Sequence, residues 1–249
     1  MFVLLHGSLL GPWSWDGVAR DLRDRGHEVV APALPFADAR AHTADHVDAI
    51  AAQLAGHDTT APTFVAHSFA GLLTPGLAER FPQATMIHLA GLLPIPGRSF
   101  VDQLEDEPPI HQPDWIAWGA PPPWADAARA RHFLFHDTDE ATATRAIDRL
   151  VADTATVAVD RAPASWPALR SAYVCPIHDR TIDPRWMHRA AREHLGVAAV
   201  DLDAGHCPQI TAPQALARLI AELAPSLRPG TPPPAPSAAG PPAAPAAPR

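Results

Sequence analysis

The sequence predicts an α/β domain in which a parallel sheet carries helices on both faces, and three observations support this prediction. Short apolar runs alternate along the chain with amphipathic stretches of helical length. Several of these stretches end at a glycine, as at Gly26, Gly56 and Gly196, which is typical of helix C-termini. Of the 249 residues, 47% are hydrophobic, which suits one domain with a sizeable core.

Six strands and five helices make up the predicted framework. The strands are expected at 2–6, 28–32, 63–67, 84–90, 171–176 and 198–203. The helices are expected at 15–25, 43–55, 69–80, 184–195 and 213–223. Helical stretches between strands indicate crossover connections, and such connections join parallel strands.

One segment, from about 93 to 165, breaks this alternation because it contains no convincing strand. It follows the carboxyl end of a strand, so it is predicted to be a helical lid over a binding crevice, with a helix-like piece at 138–151. Trp115, Trp118 and Trp124 are candidate substrate-binding residues within it. The alternative is a helical excursion that only packs against the sheet.

The two ends of the chain differ, because a predicted strand begins at residue 2 whereas the last residues have no predicted fold. Residues 229–249 are almost wholly Pro, Ala, Gly and Ser, so a folded domain is expected at 1–228 and a disordered tail after it. The apolar run at the N-terminus lasts five residues, too short for a signal sequence or a membrane span. We therefore expect a cytoplasmic protein.

Composition excludes several classes of function. The net charge is −8 and basic residues form no cluster, so neither nucleic acid nor a membrane is an expected partner. All 19 basic residues are arginine, which excludes chemistry that depends on a lysine. The two cysteines, Cys175 and Cys207, do not form a disulfide framework. Oligomeric state stays open.

No metal or other cofactor is expected. Two histidine pairs, His42/His46 and His132/His136, have the spacing of helical metal ligands. Neither pair has the accompanying glutamate of an HExxH motif or a neighbouring cysteine, so both are interpreted as solvated or capping residues.

Ser68 is the candidate nucleophile. It lies in the segment AHSFAG, after the predicted strand 63–67 and before a predicted helix, where a sharp turn would expose its hydroxyl. The small residues Ala66 and Ala70 suit the close backbone approach of such a turn.

A serine hydroxyl needs a histidine base, and that histidine needs a carboxylate that fixes its tautomer. Asp179 and His206 each follow a predicted strand, and 206 − 179 = 27 residues leave room for one helix and one strand. Three other carboxylates are less suitable for the acid's role: Asp183 resembles a helix N-cap, Asp201 lies within a strand, and Asp203 is only three residues from His206.

An oxyanion is best held by backbone N–H groups. One candidate donor is Phe69, directly after the nucleophile. The other is Ser8, in the turn after the first strand, where Gly7 permits a tight backbone.

Taken together, these motifs resemble a branch of the α/β-hydrolases that contains plant hydroxynitrile lyases, methyl-ester esterases and bacterial esterase relatives. The resemblance covers about residues 2–224 and rests on FVLLHGSLLGPWSWDGVARDLRDRGHEVV from Phe2, AHSFAG, AYVCPIHDRTI and AGHCP. It implies the α/β-hydrolase fold, with Ser68 as nucleophile, His206 as base, Asp179 as acid, and Ser8 and Phe69 as oxyanion donors.

This chain departs from the family pattern at two places. The family's elbow usually has glycine where this chain has Ala66 and Ala70. The cyanide-releasing lyases have a threonine and a lysine where this chain has Gly7 and Cys207, which disfavours lyase chemistry of that type.

The activity expected from the sequence is hydrolysis of a small, apolar carboxylic ester through an acyl-enzyme. Two alternatives remain. One is a non-hydrolytic reaction at the same residues, such as lyase, cyclase or decarboxylase chemistry in a biosynthetic pathway. The other is a ligand-binding protein on the same scaffold.

Overall fold

A single parallel sheet of six strands organises the molecule. The computed structural model describes residues 1–106, 109–120, 122–154 and 156–228, so the predicted disordered tail lies outside the described residues. The strand order is β2-β1-β3-β4-β5-β6, and every neighbouring pair is parallel. The strands are β1 (Phe2–Leu5), β2 (Val29–Val30), β3 (Thr63–His67), β4 (Thr85–Leu89), β5 (Arg170–Pro176) and β6 (Ala199–Leu202). The predicted α/β fold class is confirmed.

Helices cover both faces of the sheet, as predicted. The helices of the framework are α1 (Asp16–Asp24), α2 (Thr43–Gln53), α3 (Thr74–Arg80), α9 (Pro184–Leu195), α10 (Pro208–Thr211) and α11 (Pro213–Leu223). Apolar residues of α1 and α11 pack on one face of the sheet, and those of α2, α3 and α9 pack on the other. Two buried apolar layers therefore hold the strands in place and leave the carboxyl ends of the strands to the loops.

Most predicted bounds lie within two residues of those observed, and two framework elements differ more. The helix predicted at 69–80 begins as a 3₁₀ helix, Ser68–Leu73, and becomes α3 only from Thr74. The strand predicted at 28–32 is reduced to Val29–Val30, an edge strand that pairs only with β1.

Residues between β4 and β5 form the insertion, and its described part is helical. It contains α4 (Phe100–Asp106), α5 (Pro113–Trp118), α6 (Ala127–Leu134), α7 (Glu140–Ile147) and α8 (Thr156–Val159). In the described residues of this segment, extended pairing is limited to one isolated bridge between His111 and Ile182. None of the helices in the described ranges is long and apolar enough to cross a bilayer.

Candidate active site

Ser68 occupies a strained turn at the carboxyl end of β3. Its φ is +53°, in the left-handed region that L-residues rarely adopt. Only two other non-glycine residues of the described chain share this feature, Leu9 (+68°) and Ala90 (+44°). Leu9 and Ser68 line the same cavity. Strain of this kind persists where the surrounding structure fixes the backbone, and it concentrates at functional sites.

A close backbone contact holds the elbow. The N–H of Leu92 donates to the carbonyl of Ser68 at 3.0 Å. A Cβ on Gly71 would lie 2.2 Å from the carbonyl oxygen of Leu92, so glycine is required there. Ala66 and Ala70, the departures from the family elbow, are fully buried without disrupting the turn. The required glycine is thus Gly71, the last residue of AHSFAG, for which the sequence alone indicates no such constraint.

His206 and Asp179 form a buried pair on the same edge of the sheet as Ser68. The last residues of β5 and β6, Pro176 and Leu202, are register partners, so the loops after them start side by side. His206 Nδ1 lies 2.7 Å from Asp179 Oδ2, and both side chains are almost completely buried. This contact places the ring proton on Nδ1 and leaves Nε2 free to accept a proton.

Backbone groups fix the other oxygen of Asp179. Its Oδ1 accepts from the N–H groups of Thr181 (2.7 Å) and Ile182 (2.9 Å). The carboxylate is therefore held in one orientation, with Oδ2 directed at His206.

The competing carboxylates have other partners. Asp183 caps α9 by accepting from the N–H of Arg185 at 2.8 Å, as predicted. Asp203 lies 2.8 Å from His178 Nε2, and Asp201 lies 2.9 Å from His188 Nε2. None of the three contacts His206.

The turn after β1 packs directly on the nucleophile elbow. A Cβ on Gly7 would lie 2.9 Å from His67 Nδ1 and 3.0 Å from Ser68 Cβ. Ser8 and Phe69 both line the cavity with Ser68. In the described chain, neither of their N–H groups donates to another protein group, so both remain available to an oxyanion.

Two buried neutral histidines, for which the sequence predicts no role, form hydrogen bonds to the loops of this site. His6 Nδ1 donates to the Gly7 carbonyl at 2.9 Å, and its Nε2 accepts from the N–H of Leu34 at 3.0 Å. His67 Nε2 donates to the His206 carbonyl at 2.9 Å, and its Nδ1 lies 3.3 Å from Gln209 Nε2. Burial lowers the pKa of His6 to about 4 and holds that of His67 well below its usual value.

Asp137, in the insertion, supports the loop that carries His206. Its Oδ2 accepts from the N–H of Gly205 at 2.6 Å and from Thr211 Oγ1 at 3.0 Å. A Cβ on Gly205 would lie 2.8 Å from His136 Nε2, so the loop and the insertion are in close contact. The only sequence signal for this contact is Gly205 itself, which marks a close approach without naming its partner.

The cavity around Ser68 is small and mostly apolar, with a volume of about 60 Å³. The insertion contributes His111, Trp115 and Leu134 to its lining. The Trp115 ring stacks on His111, and the Arg129 guanidinium lies 4.8 Å from the centre of the Trp115 ring. Burial lowers the pKa of His111 to about 4, so this ring is neutral at pH 7.

Of the three tryptophans predicted to bind substrate, Trp115 alone reaches this cavity. Trp118 is 41% exposed and stacks on His132 of α6, and Trp124 is 40% exposed. Neither lines the cavity. Trp118 instead packs on α6, and Trp124 lies beyond the end of α5, so neither belongs to the wall of this cavity. Their role in binding substrate stays a prediction.

The two histidines of each pair have different surroundings. His42 lies at the N-cap of α2, 2.7 Å from Asp160, whereas His46 is fully buried against Phe36, so its interpretation as solvated or capping is wrong. His132 contacts Trp118, whereas His136 Nε2 donates to the His178 carbonyl. A different group of ligand-type side chains, Cys175, His188 and Asp201, has its ligand atoms within 4.8 Å of one another, outside the Ser68 cavity.

Comparison with known proteins identifies the class. A model of the alpha/beta hydrolase family matches residues 2–219. This chain belongs to the alpha/beta hydrolase family, as the motifs predict.

One curated relative is an esterase. Over 110 residues the chain is 32% identical to methyl jasmonate esterase 1 of Vitis vinifera, an alignment that covers 40% of this chain and 41% of that protein. The chain thus matches less than half the length of this curated relative.

Solved structures share the fold at low identity. A pyrethroid hydrolase from Sphingobium faniae has a TM-score of 0.74 at 20% identity, with 90% of this chain and 97% of that chain covered. Tomato methylketone synthase I bound to 2-tridecanone has a TM-score of 0.68 at 16% identity, with 91% and 98% covered. An extracellular alpha/beta-hydrolase from Paenibacillus has a TM-score of 0.73 at 20% identity, with 89% and 97% covered.

Proposed function

We propose that this chain is a cofactor-independent serine hydrolase that cleaves a small, apolar carboxylic ester. The observation that carries the proposal is the buried 2.7 Å contact between His206 and Asp179, beside a cavity that His206 shares with Ser68. The esterase among the relatives agrees with it.

The proposed reaction runs in two halves. Ser68 Oγ attacks the ester carbonyl carbon while its proton passes to His206 Nε2, and the N–H groups of Ser8 and Phe69 hold the oxyanion. The alcohol leaves with the proton from His206, and an acyl-enzyme remains. His206 then takes a proton from water, the resulting hydroxide attacks the acyl carbon, and the acid is released as the proton returns to Ser68. The insertion acts as the lid that keeps the cavity apolar.

Labelling with a fluorophosphonate tests the nucleophile. We expect stoichiometric labelling on the peptide that contains Ser68, and none in Ser68→Ala. Wild-type protein that resists labelling would contradict the proposal.

Measurement of ester turnover distinguishes hydrolysis from a non-hydrolytic reaction at the same residues. The non-hydrolytic reaction is the second candidate because the chain shares its fold with methylketone synthase I. We expect wild type to hydrolyse short nitrophenyl esters, with loss of this activity in Ser68→Ala. Labelling at Ser68 without turnover of any ester would favour the second candidate.

A further inference from the structure

Two cavities of very different size lie next to each other. The cavity with Ser68 measures about 60 Å³, whereas a cleft bounded by α2, α3 and the 157–163 segment measures about 600 Å³. Sites for drug-sized ligands are typically about 300–1,000 Å³, so the cleft has that capacity and the Ser68 cavity holds only a few carbon atoms.

Phe100, the first residue of α4, contacts the linings of both cavities. Its ring lies 5.7 Å from the ring of Phe69 and 6.1 Å from that of His111, centre to centre, and both of these residues line the small cavity. Phe100 itself lines the large cleft and is almost fully buried. We propose that Phe100 is a specificity-determining wall, which limits one portion of the ester to a short chain by closing the Ser68 cavity off from the cleft.

The start of α4 holds this wall in place. The N–H of Ser99 donates to Asp102 Oδ2 at 3.0 Å, and the N–H of Asp102 donates to Ser99 Oγ at 3.1 Å. This reciprocal cap fixes the helix at Phe100. In its hydrogen-bonded amide orientation, Gln103 also binds the carbonyl of Leu93 and the N–H of Ile95.

The cleft behind the wall suits an uncharged chain. Leu72, Pro94 and Val157 supply apolar surface. The charged residues that line the cleft are three arginines and three carboxylates, so their formal charges cancel: Arg80, Arg98, Arg161, Asp48, Glu79 and Asp160. An aliphatic extension that enters the cleft once the wall is shortened therefore meets apolar surface and no net charge.

The test is a chain-length series on Phe100→Leu and Phe100→Ala. Nitrophenyl esters of C2 to C10 acids vary the acyl portion, and acetates of C1 to C8 alcohols vary the alcohol portion. We expect wild type to prefer short chains in at least one series. In that series we compare kcat/KM for the C8 substrate with kcat/KM for the shortest substrate. This ratio should be at least tenfold higher in Phe100→Leu than in wild type.

Phe2→Leu is the control. Phe2 is an almost fully buried aromatic residue of β1 whose ring contacts His27, and neither residue lines either cavity, so its shortening should leave both ratios within twofold. The milder leucine variant decides the outcome if the alanine variant does not fold. Equal wild-type rates for long and short chains in both series, or unchanged ratios in Phe100→Leu, would overturn the proposal.

This inference rests on the proposed function, but binding tests it without turnover. In a Ser68→Ala background, Phe100→Leu should tighten binding of octyl acetate at least tenfold by calorimetry, and binding of methyl acetate should not change. If octyl acetate binds more tightly but the fluorophosphonate does not label wild-type Ser68, the proposed hydrolase activity is refuted and the role of Phe100 stands. If wild type is labelled and hydrolyses esters but octyl acetate does not bind more tightly, the role of Phe100 is refuted and the hydrolase activity stands.

Discussion

Loops at the strand ends and the helical insertion meet at one cavity, but they are built differently. The loops after β3, β5 and β6 are held by buried hydrogen bonds, such as the two N–H groups on Asp179 and the His67 contact to the His206 carbonyl. The insertion supplies mainly aromatic surface, and part of it, including Trp118, faces solvent. We therefore infer that the strand-end loops carry the residues of the proposed reaction, and that the insertion shapes the cavity and so limits which substrates fit.

A few polar contacts connect the two regions. Asp137 binds Gly205, His136 donates to the His178 carbonyl, and Gln112 Nε2 donates to the Asp179 carbonyl at 3.1 Å. Each joins the insertion to a loop that carries a member of the proposed triad. Substitutions in the strand-end loops and in the insertion can therefore both test this division of roles.

The largest effect is expected at the strand ends, in Asp179→Asn. An amide does not hold the Nδ1–H tautomer of His206 as a carboxylate does, so kcat should fall about 10⁴-fold, as in other serine triads. Steady-state kinetics on a short nitrophenyl ester measures this. Asp203→Asn is the control, because Asp203 lies on the same edge but contacts His178, and its kcat should stay within twofold. Equal losses in the two variants would remove Asp179 from its proposed role.

The second largest effect on kcat is expected from a substitution at Gly7. A Cβ at this position would press on His67 and Ser68 and displace the turn that carries the Ser8 N–H. Loss of one oxyanion donor costs about 10²–10³-fold in kcat, which we expect for Gly7→Ala and Gly7→Thr. Gly17→Ala creates a similar clash, 2.8 Å from Pro213 Cβ, away from the site, and should lower Tm without lowering kcat. Near-normal kcat in Gly7→Ala would argue against this oxyanion turn.

Acid should destabilise the sheet and the helix α2 packed on it through buried histidines. Burial lowers the pKa of His46 to about 4 and that of His88 to about 3, against about 6.5 for an unfolded histidine. The unfolded state therefore binds more protons below pH 6.5, and stability falls as the pH drops from 6.5 toward 4. Each such histidine contributes a slope of about 1.4 kcal/mol per pH unit to the free energy of unfolding.

Urea unfolding between pH 7 and pH 5 measures this slope. His46→Leu should flatten it by up to about 1.4 kcal/mol per pH unit. His27→Leu, which removes an exposed histidine, should leave it unchanged. An unaltered slope in His46→Leu would show that His46 is not a source of the acid sensitivity.

Sequence patterns predicted the strand-end region well because its signals are local. Ser68, Asp179 and His206 each follow an apolar strand, and parallel order brings such positions to one edge of the sheet. The insertion offers no such rule. The wall formed by Phe100 depends on contacts with Phe69 and His111, which no periodicity in the chain encodes. For the same reason, Trp118 and Trp124 were indistinguishable from Trp115 in the sequence.

The smallest effect on kcat is expected from removal of the hydrogen bond that the N–H of Gly205 donates to Asp137, which joins the two regions. Asp137→Ala leaves that N–H without its acceptor, so the loop that presents His206 should lose about 1–2 kcal/mol of positional stability. If the loop positions the base, kcat falls about tenfold while KM changes little, and Asp137→Asn restores part of the rate because its amide oxygen still accepts.

Asp139→Ala is the control within the insertion. Asp139 caps α7 by accepting from the N–H of Thr142 at 2.8 Å, and it has no contact with the His206 loop. Its removal should cost about 1 kcal/mol of stability and leave kcat unchanged. A loss of kcat in Asp139→Ala equal to that in Asp137→Ala would mean that the insertion acts through its general stability. A loss confined to Asp137→Ala would show that one hydrogen bond extends the insertion's role from shape to the orientation of the base.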